Sequence, residues 1–186
     1  MPVICGIDEA GRGPLAGPVT AAAVILSDDF PREILKDSKK LTPASRSRIC
    51  AMLMKDCLYS TGWAWPEEID RINIHHAALL AMKRAYEGLQ GLGAEADIVL
   101  VDGLFTPDIS CRREAVVKGD DRIDEIKAAS IIAKTARDRW MIRYSWIERD
   151  YMFERHKGYP TLLHRQILEK IGPCPIHRMS FKYTSS

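Results

Sequence analysis

The chain is 186 residues long, 46% hydrophobic and 28% charged, with a net charge of +2 at pH 7. That length suits one domain with its own core, and no apolar run reaches the ~18–20 residues of a membrane-spanning helix. A charge of +2 does not by itself point to a polyanionic partner, and five cysteines without a C-x-x-C pair argue against a disulfide scaffold or zinc knuckle and for a reducing, cytoplasmic setting.

In chain order, the first element is a short strand from Val3 to Asp8. A Gly/Pro-rich turn from Gly11 to Pro18 leads into a second strand, Val19 to Leu26, rich in small and β-branched residues. That second run is too short to span a membrane, and no basic segment ahead of it marks a secretory signal. Thr42 and Pro43 read as an N-cap with proline at the first helical position, and the helix they open carries Ile49, Met52, Leu53 and Cys57 on one face. Tyr59 to Trp65 reads as a strand. Ile74, Ala77, Ala78, Ala81, Met82, Ala85 and Leu89 repeat at helical spacing, with Gly88, Gly91 and Gly93 as stop signals.

Asp97 to Val101 is an apolar run of the kind buried on both faces, ending at Asp102-Gly103. Ala115 to Val117 predicts a last short strand. From about Asp124 the pattern is helical, with Ile126, Ala129, Ala133, Ala136 and Trp140 in line, and a further helix spans Thr161 to Ile171 before Gly172-Pro173. Strands interleaved with helices indicate an α/β class with one mixed sheet. From Arg137 to Lys182 ten Lys/Arg stand against five Asp/Glu, which fits either a phosphate-facing surface or solvated helix faces.

The acids carry the chemistry. Asp8 and Glu9 end one apolar strand and Asp102 ends another, and ligands of open α/β sheets bind at strand ends. Converging carboxylates repel one another unless a cation neutralises them, and their hard oxygen donors suit Mg²⁺ or Mn²⁺. Neighbours on a regular strand point to opposite faces, so Asp8 and Glu9 share a site only if the strand twists, bulges or ends there. Read singly, Asp102-Gly103 is an ordinary turn, whereas the Asp8-Glu9 pair entering a Gly/Pro-dense turn has equal claim as a site or as strand-end acids.

The stretch G-I-D-E-A-G-R-G-P-L-A-G-P-V, Gly6 to Val19, resembles the signature of type 2 ribonuclease H, the ribonuclease HII family. Further blocks follow in the family's order: D-S-K-K-L-T from Asp37, V-D-G from Val101, K-G-D from Lys118, A-A-S-I-I-A-K-T-A-R-D-R from Ala128, H-K-G-Y from His156 and G-P-C-P-I-H-R from Gly172. The resemblance implies a ribonuclease H-like fold, α/β with a mixed central sheet flanked by helices. It implies one catalytic domain over residues 1–186, helical in its C-terminal part from about residue 140.

It further implies that Asp8, Glu9, Asp102 and Asp120 are the catalytic, metal-binding acids, with Asp121 and Asp138 as alternatives for the fourth. Gly11, Arg12 and Gly13 would meet the ribose at a junction between RNA and DNA. Tyr159 would pack on the next deoxyribose and contact the 2′-OH that separates RNA from DNA. Lys39 and Lys40 are phosphate contacts or solvated turn residues with equal claim. Asp138 otherwise reads as an ion-pair partner of Arg137, Arg139 or Arg143. The histidines at 75 and 76 read as structural, and those at 156, 164 and 177 have no metal role.

Two departures stand out: Lys127 replaces a small residue and would alter a surface, and Pro160 follows Tyr159 where glycine is usual. The implied activity is hydrolysis of the RNA strand of RNA–DNA hybrids and cutting 5′ of single ribonucleotides in duplex DNA. A two-metal-ion mechanism would leave 3′-hydroxyl and 5′-phosphate ends. Ribonucleotide excision and primer RNA removal are the implied roles, with hybrid and ribonucleotide-containing duplex DNA as partners, a monomeric state and no membrane. A branched-DNA resolvase would share the acids but not need G-R-G with H-K-G-Y, and a non-catalytic hybrid-binding module would need the basic face but not the acids. Arg12 between the two glycines argues against the related type 3 enzymes.

Overall fold

A computed structural model describes residues 2–35 and 41–183. Five strands, β1 (Ile4–Ala10), β2 (Val19–Ile25), β3 (Leu58–Ala64), β4 (Ile98–Asp102) and β5 (Arg113–Val116), form one sheet in the order β3-β2-β1-β4-β5. β1 pairs antiparallel with β2, and β2 with β3, whereas β1–β4 and β4–β5 are parallel. The mixed sheet flanked by helices is the expected class. In β4 only Val99 and Val101 are fully buried, so the run expected to be covered on both faces alternates instead.

The helices are α1 (Pro43–Asp56), α2 (Pro66–Gly91), α3 (Gly119–Arg122), α4 (Asp124–Tyr144), α5 (Phe153–His156) and α6 (Leu162–Ile171). Thr42 caps α1 as expected, its hydroxyl accepting from the Ser45 amide at 3.2 Å. α2 starts eight residues before the expected Ile74, but Asn73 breaks it at φ 65°. The Asn73 side-chain oxygen accepts from the amides of His75 and His76, so it caps a second segment that begins where the apolar periodicity does. At its far end α2 runs through Gly88, which packs against Ser60 rather than stopping the helix.

α2 covers one face of the sheet, where Ala77, Ala81 and Ala85 meet Cys5, Ile7, Ala21 and Val99. α4 and α1 cover the other, where Ala129, Ile132 and Leu53 meet Ala22 and Val24. The alanines let both helices lie close on the sheet. A third cluster joins Leu15 and Ala16, between β1 and β2, to Met141, Tyr151, Phe153, Leu168 and Ile176. Lys127 corrects an expectation: it is buried and pairs with Asp124 at 2.9 Å, rather than altering a surface. No helix among the described residues is long and apolar enough to cross a membrane.

Candidate active site

The acids gather where the pairing of β1 with β4 stops. Ile7 pairs with Val101, so the next residues along the two parallel strands are Asp8 and Asp102. β1 does not bulge there, since its register with β2 continues through Glu9 and Ala10. Asp8 faces α4, where Ser130 favours its charged form. α4 comes this close because Gly6 has no Cβ: one placed there would lie 2.2 Å from the Glu125 carbonyl carbon. Glu9 faces the other way, into a cleft of about 100 Å³ that it lines with Arg12, His75, Asp102 and Phe105. The two acids therefore reach the end of β4 from opposite sides of a regular strand.

Burial sets the electrostatics. Asp8 is 5% exposed, and its carboxyl is pushed well above the usual carboxylate range by desolvation, then by the charge of Glu9 and that of Asp102. The Ser130 hydroxyl and the Glu9 amide, at 2.7 Å, offset part of that. Burial also raises Glu9, against the pull of Arg12 at 3.3 Å, and Asp102 adds to the rise. The second Glu9 oxygen, Oε2, is buried without a hydrogen-bond partner among the described residues. Asp102 accepts from the Asp120 amide at 3.3 Å, which brings α3 against β4.

Among the described residues, no three His, Cys, Asp or Glu side chains are drawn together closely enough to form a ready cation cage. The donor set nevertheless fits a hard divalent ion: it is all carboxylate, one buried oxygen lacks a partner, and three of the acids are in mutual repulsion. Of the alternatives for the fourth acid, Asp120 adjoins Asp102, Asp121 is exposed, and Asp138 is held by Lys134 at 2.8 Å. An ion pair at Asp138 was expected, but with a neighbouring arginine. The lysine one helical turn earlier takes it instead.

The Gly11–Pro18 turn begins directly after β1. Gly11 has φ +98°, and a Cβ there would lie 2.1 Å from Arg137 Nε. Gly13 is different: it is exposed, its φ is not positive, and a Cβ would meet nothing within 4 Å. Arg12 is exposed and reaches back to Glu9. Tyr159 is half-buried, with its ring 5.0 Å from Lys134 Nζ and 5.6 Å from Arg137 Cζ. Leu15 donates to the Gly158 carbonyl at 2.8 Å, so the tyrosine loop and the Gly/Pro turn are joined directly. Lys39 and Lys40 lie outside the described residues.

Three residues that the sequence does not place at the site matter here: Ser130, Arg137 and Arg178. Both arginines are fully buried. Arg178 donates to the carbonyls of Gly11, Arg12, Pro14 and Gly17, and Arg137 to those of Ala16, Pro18 and Lys157. The signal for Arg137 was its spacing, four residues after Ala133 and four before Met141 on the buried stripe of α4. Arg178 lies in an irregular tail, where periodicity has no purchase.

The sequence profile described as Ribonuclease HII matches residues 5–184 of the chain. A Treponema denticola protein named Ribonuclease HII is 52% identical over 194 residues, covering 96% of this chain and 98% of that one. The fold is similar to that in the structure of the PCNA:RNase HII complex from Archaeoglobus fulgidus, with a TM-score of 0.79 and 27% identity over 99% of this chain and 97% of that one. It is also similar in fold to Bst-RNase HIII, solved in complex with Mn²⁺, with a TM-score of 0.76 and 19% identity over 97% of this chain and 67% of that one.

Proposed function

Because the chain belongs to the ribonuclease HII family, and is thus a nuclease hydrolase of the ribonuclease H type, we propose that it cuts RNA strands in hybrids and 5′ of single ribonucleotides in duplex DNA. The observation that carries this reading is the mutual repulsion of Asp8, Glu9 and Asp102 where the β1–β4 pairing stops, beside the turn that joins the Tyr159 loop. Acids alone would serve any phosphodiesterase. The adjoining turn and tyrosine supply a way to find the ribose.

Asp8, Glu9, Asp102 and Asp120 would hold divalent metal, Mg²⁺ or Mn²⁺, which would supply Lewis-acid activation of water and neutralise charge at the phosphate. The chain's own residues do the positioning. Ser130 and the Glu9 amide orient Asp8, Arg12 orients Glu9, and the Asp120 amide orients Asp102. The exposed Gly13 leaves room for a ribose to approach the backbone, and the half-buried Tyr159 ring would pack on the next sugar. Water oxygen joins phosphorus, and the bond from phosphorus to the 3′-oxygen of the preceding nucleotide breaks. That oxygen takes a proton, leaving 3′-hydroxyl and 5′-phosphate ends.

Such an enzyme would act in ribonucleotide excision and primer removal, as a single-domain monomer in the cytoplasm. Asp8→Asn tests the assignment: the variant folds and loses cleavage of both substrates. Retained cleavage would remove Asp8 from the catalytic set.

A further inference from the structure

Arg137 and Arg178 are each 0% exposed, and neither has a carboxylate at ion-pair distance among the described residues. Burying a guanidinium without a counter-charge is costly unless every donor is used. Here backbone carbonyls take that place. Arg178 holds Gly11, Arg12, Pro14 and Gly17 at 2.6–3.0 Å, and Arg137 holds Ala16 and Pro18 at 3.0 and 2.8 Å. Six carbonyls of the Gly11–Pro18 turn thus point inward at two cations.

Direction follows from the planar trans peptide, in which C=O and N–H point opposite ways. With the Gly11 and Arg12 carbonyls fixed on Arg178, the amides of Arg12 and Gly13 point away from it, at two exposed residues. Arg137 adds a second constraint. It also donates to the Lys157 carbonyl at 3.0 Å, and its guanidinium lies by the Tyr159 ring. One side chain therefore ties the turn to the tyrosine loop. Lysine cannot replace either arginine here, because a single nitrogen cannot reach several separate carbonyls as a planar fork does.

We propose that Arg178 and Arg137 are positioning residues for junction recognition: Arg178 aims the Arg12 and Gly13 amides outward, and Arg137 fixes the separation between that turn and Tyr159. This rests on the nuclease reading above. A lone ribonucleotide offers one 2′-OH and needs both halves of the site in register. A long hybrid offers a 2′-OH at every step and depends less on one junction. The pair therefore acts on specificity more than on turnover.

The test is Arg178→Lys, with kcat and KM measured on a duplex carrying one ribonucleotide and on a long hybrid, beside a thermal melt. A shift of about 1 Å in a positioning group costs on the order of 100-fold, so kcat/KM on the single-ribonucleotide duplex falls by about that factor. On the hybrid it falls by less than about 10-fold, and the ratio of the two moves at least about 10-fold. A merely structural role lowers both through the folded fraction and leaves the ratio where it was. If Arg178→Lys does not melt cooperatively, Arg137→Lys decides by the same ratio. A folded variant with an unchanged ratio overturns the proposal while the nuclease reading stands. Wild-type protein that cuts neither substrate overturns both.

Discussion

The Nε2 atoms of His164 and His177 lie 3.0 Å apart in the buried C-terminal cluster, so only one of them carries a proton. The surrounding bonds settle which. His164 Nδ1 faces the Tyr159 carbonyl at 3.0 Å and must donate to it, which leaves its Nε2 as acceptor. His177 Nε2 then donates, and its Nδ1 accepts from the Cys174 amide at 2.9 Å. A chain of neutral imidazoles thus holds the backbone of Tyr159.

Acid should break that chain. Burial, followed for His164 by the neighbouring His156, pushes both histidines down to about 4. Their unfolded value is about 6.5, so the unfolded chain binds protons first as pH falls. The stability they contribute is complete above pH ~6.5 and is lost progressively towards pH ~4, on the order of a few kcal/mol for the pair. Melting temperatures at pH 7.5, 6 and 5 check this. His177→Gln should flatten the slope between pH 6 and 5, and an unchanged slope would show that these rings do not titrate as argued.

The acids impose the opposite effect at neutral pH. Asp8 is buried against two other carboxylates, and in chelator the Ser130 hydroxyl and the Glu9 amide offset only part of that cost. Asp8→Asn should therefore raise the melting temperature in EDTA by several degrees, corresponding to about 1–2 kcal/mol, while abolishing cleavage. A lower melting temperature in EDTA would mean that the carboxylate stabilises the fold.

The two glycines flanking Arg12 separate folding from recognition. Gly11→Ala places a Cβ at positive φ and 2.1 Å from a buried guanidinium, so it should cost about 3 kcal/mol or more. Gly13→Ala meets nothing in the fold and should change stability by less than about 0.5 kcal/mol. It should nonetheless weaken cutting at a single ribonucleotide, because the added methyl stands where the sugar would approach. Urea titration beside kcat/KM distinguishes the two, and unimpaired cutting by Gly13→Ala would remove this turn from the substrate site.

Much of this arrangement was legible because local rules agreed with the tertiary structure. The end of β4 at Asp102 follows from an apolar run broken by an acid, and Thr42-Pro43 marks the start of α1 by cap chemistry alone, whereas β1 runs past Asp8 to Ala10 because its pairing with β2 continues. Residues 66–72 escaped because only a short apolar stripe precedes the break at Asn73. α5 is four residues long, too short for a period to register. Arg178 was opaque for another reason: its partners are backbone carbonyls more than 160 positions earlier, and backbone carbonyls leave no trace in residue identity. The side-by-side meeting of Asp8 and Asp102 likewise depends on the β1–β4 register, which only the folded sheet displays.

The central claim is tested most directly by cleavage of a DNA duplex containing one ribonucleotide, with Mg²⁺, Mn²⁺ or chelator, beside an all-DNA control. The account predicts metal-dependent cutting on the 5′ side of that ribonucleotide, with 3′-hydroxyl and 5′-phosphate ends and no cutting of the control. Cutting of long hybrids alone would contradict the junction reading built on Gly11–Gly13 and Tyr159. Cutting of neither substrate would contradict the catalytic assignment of Asp8, Glu9, Asp102 and Asp120.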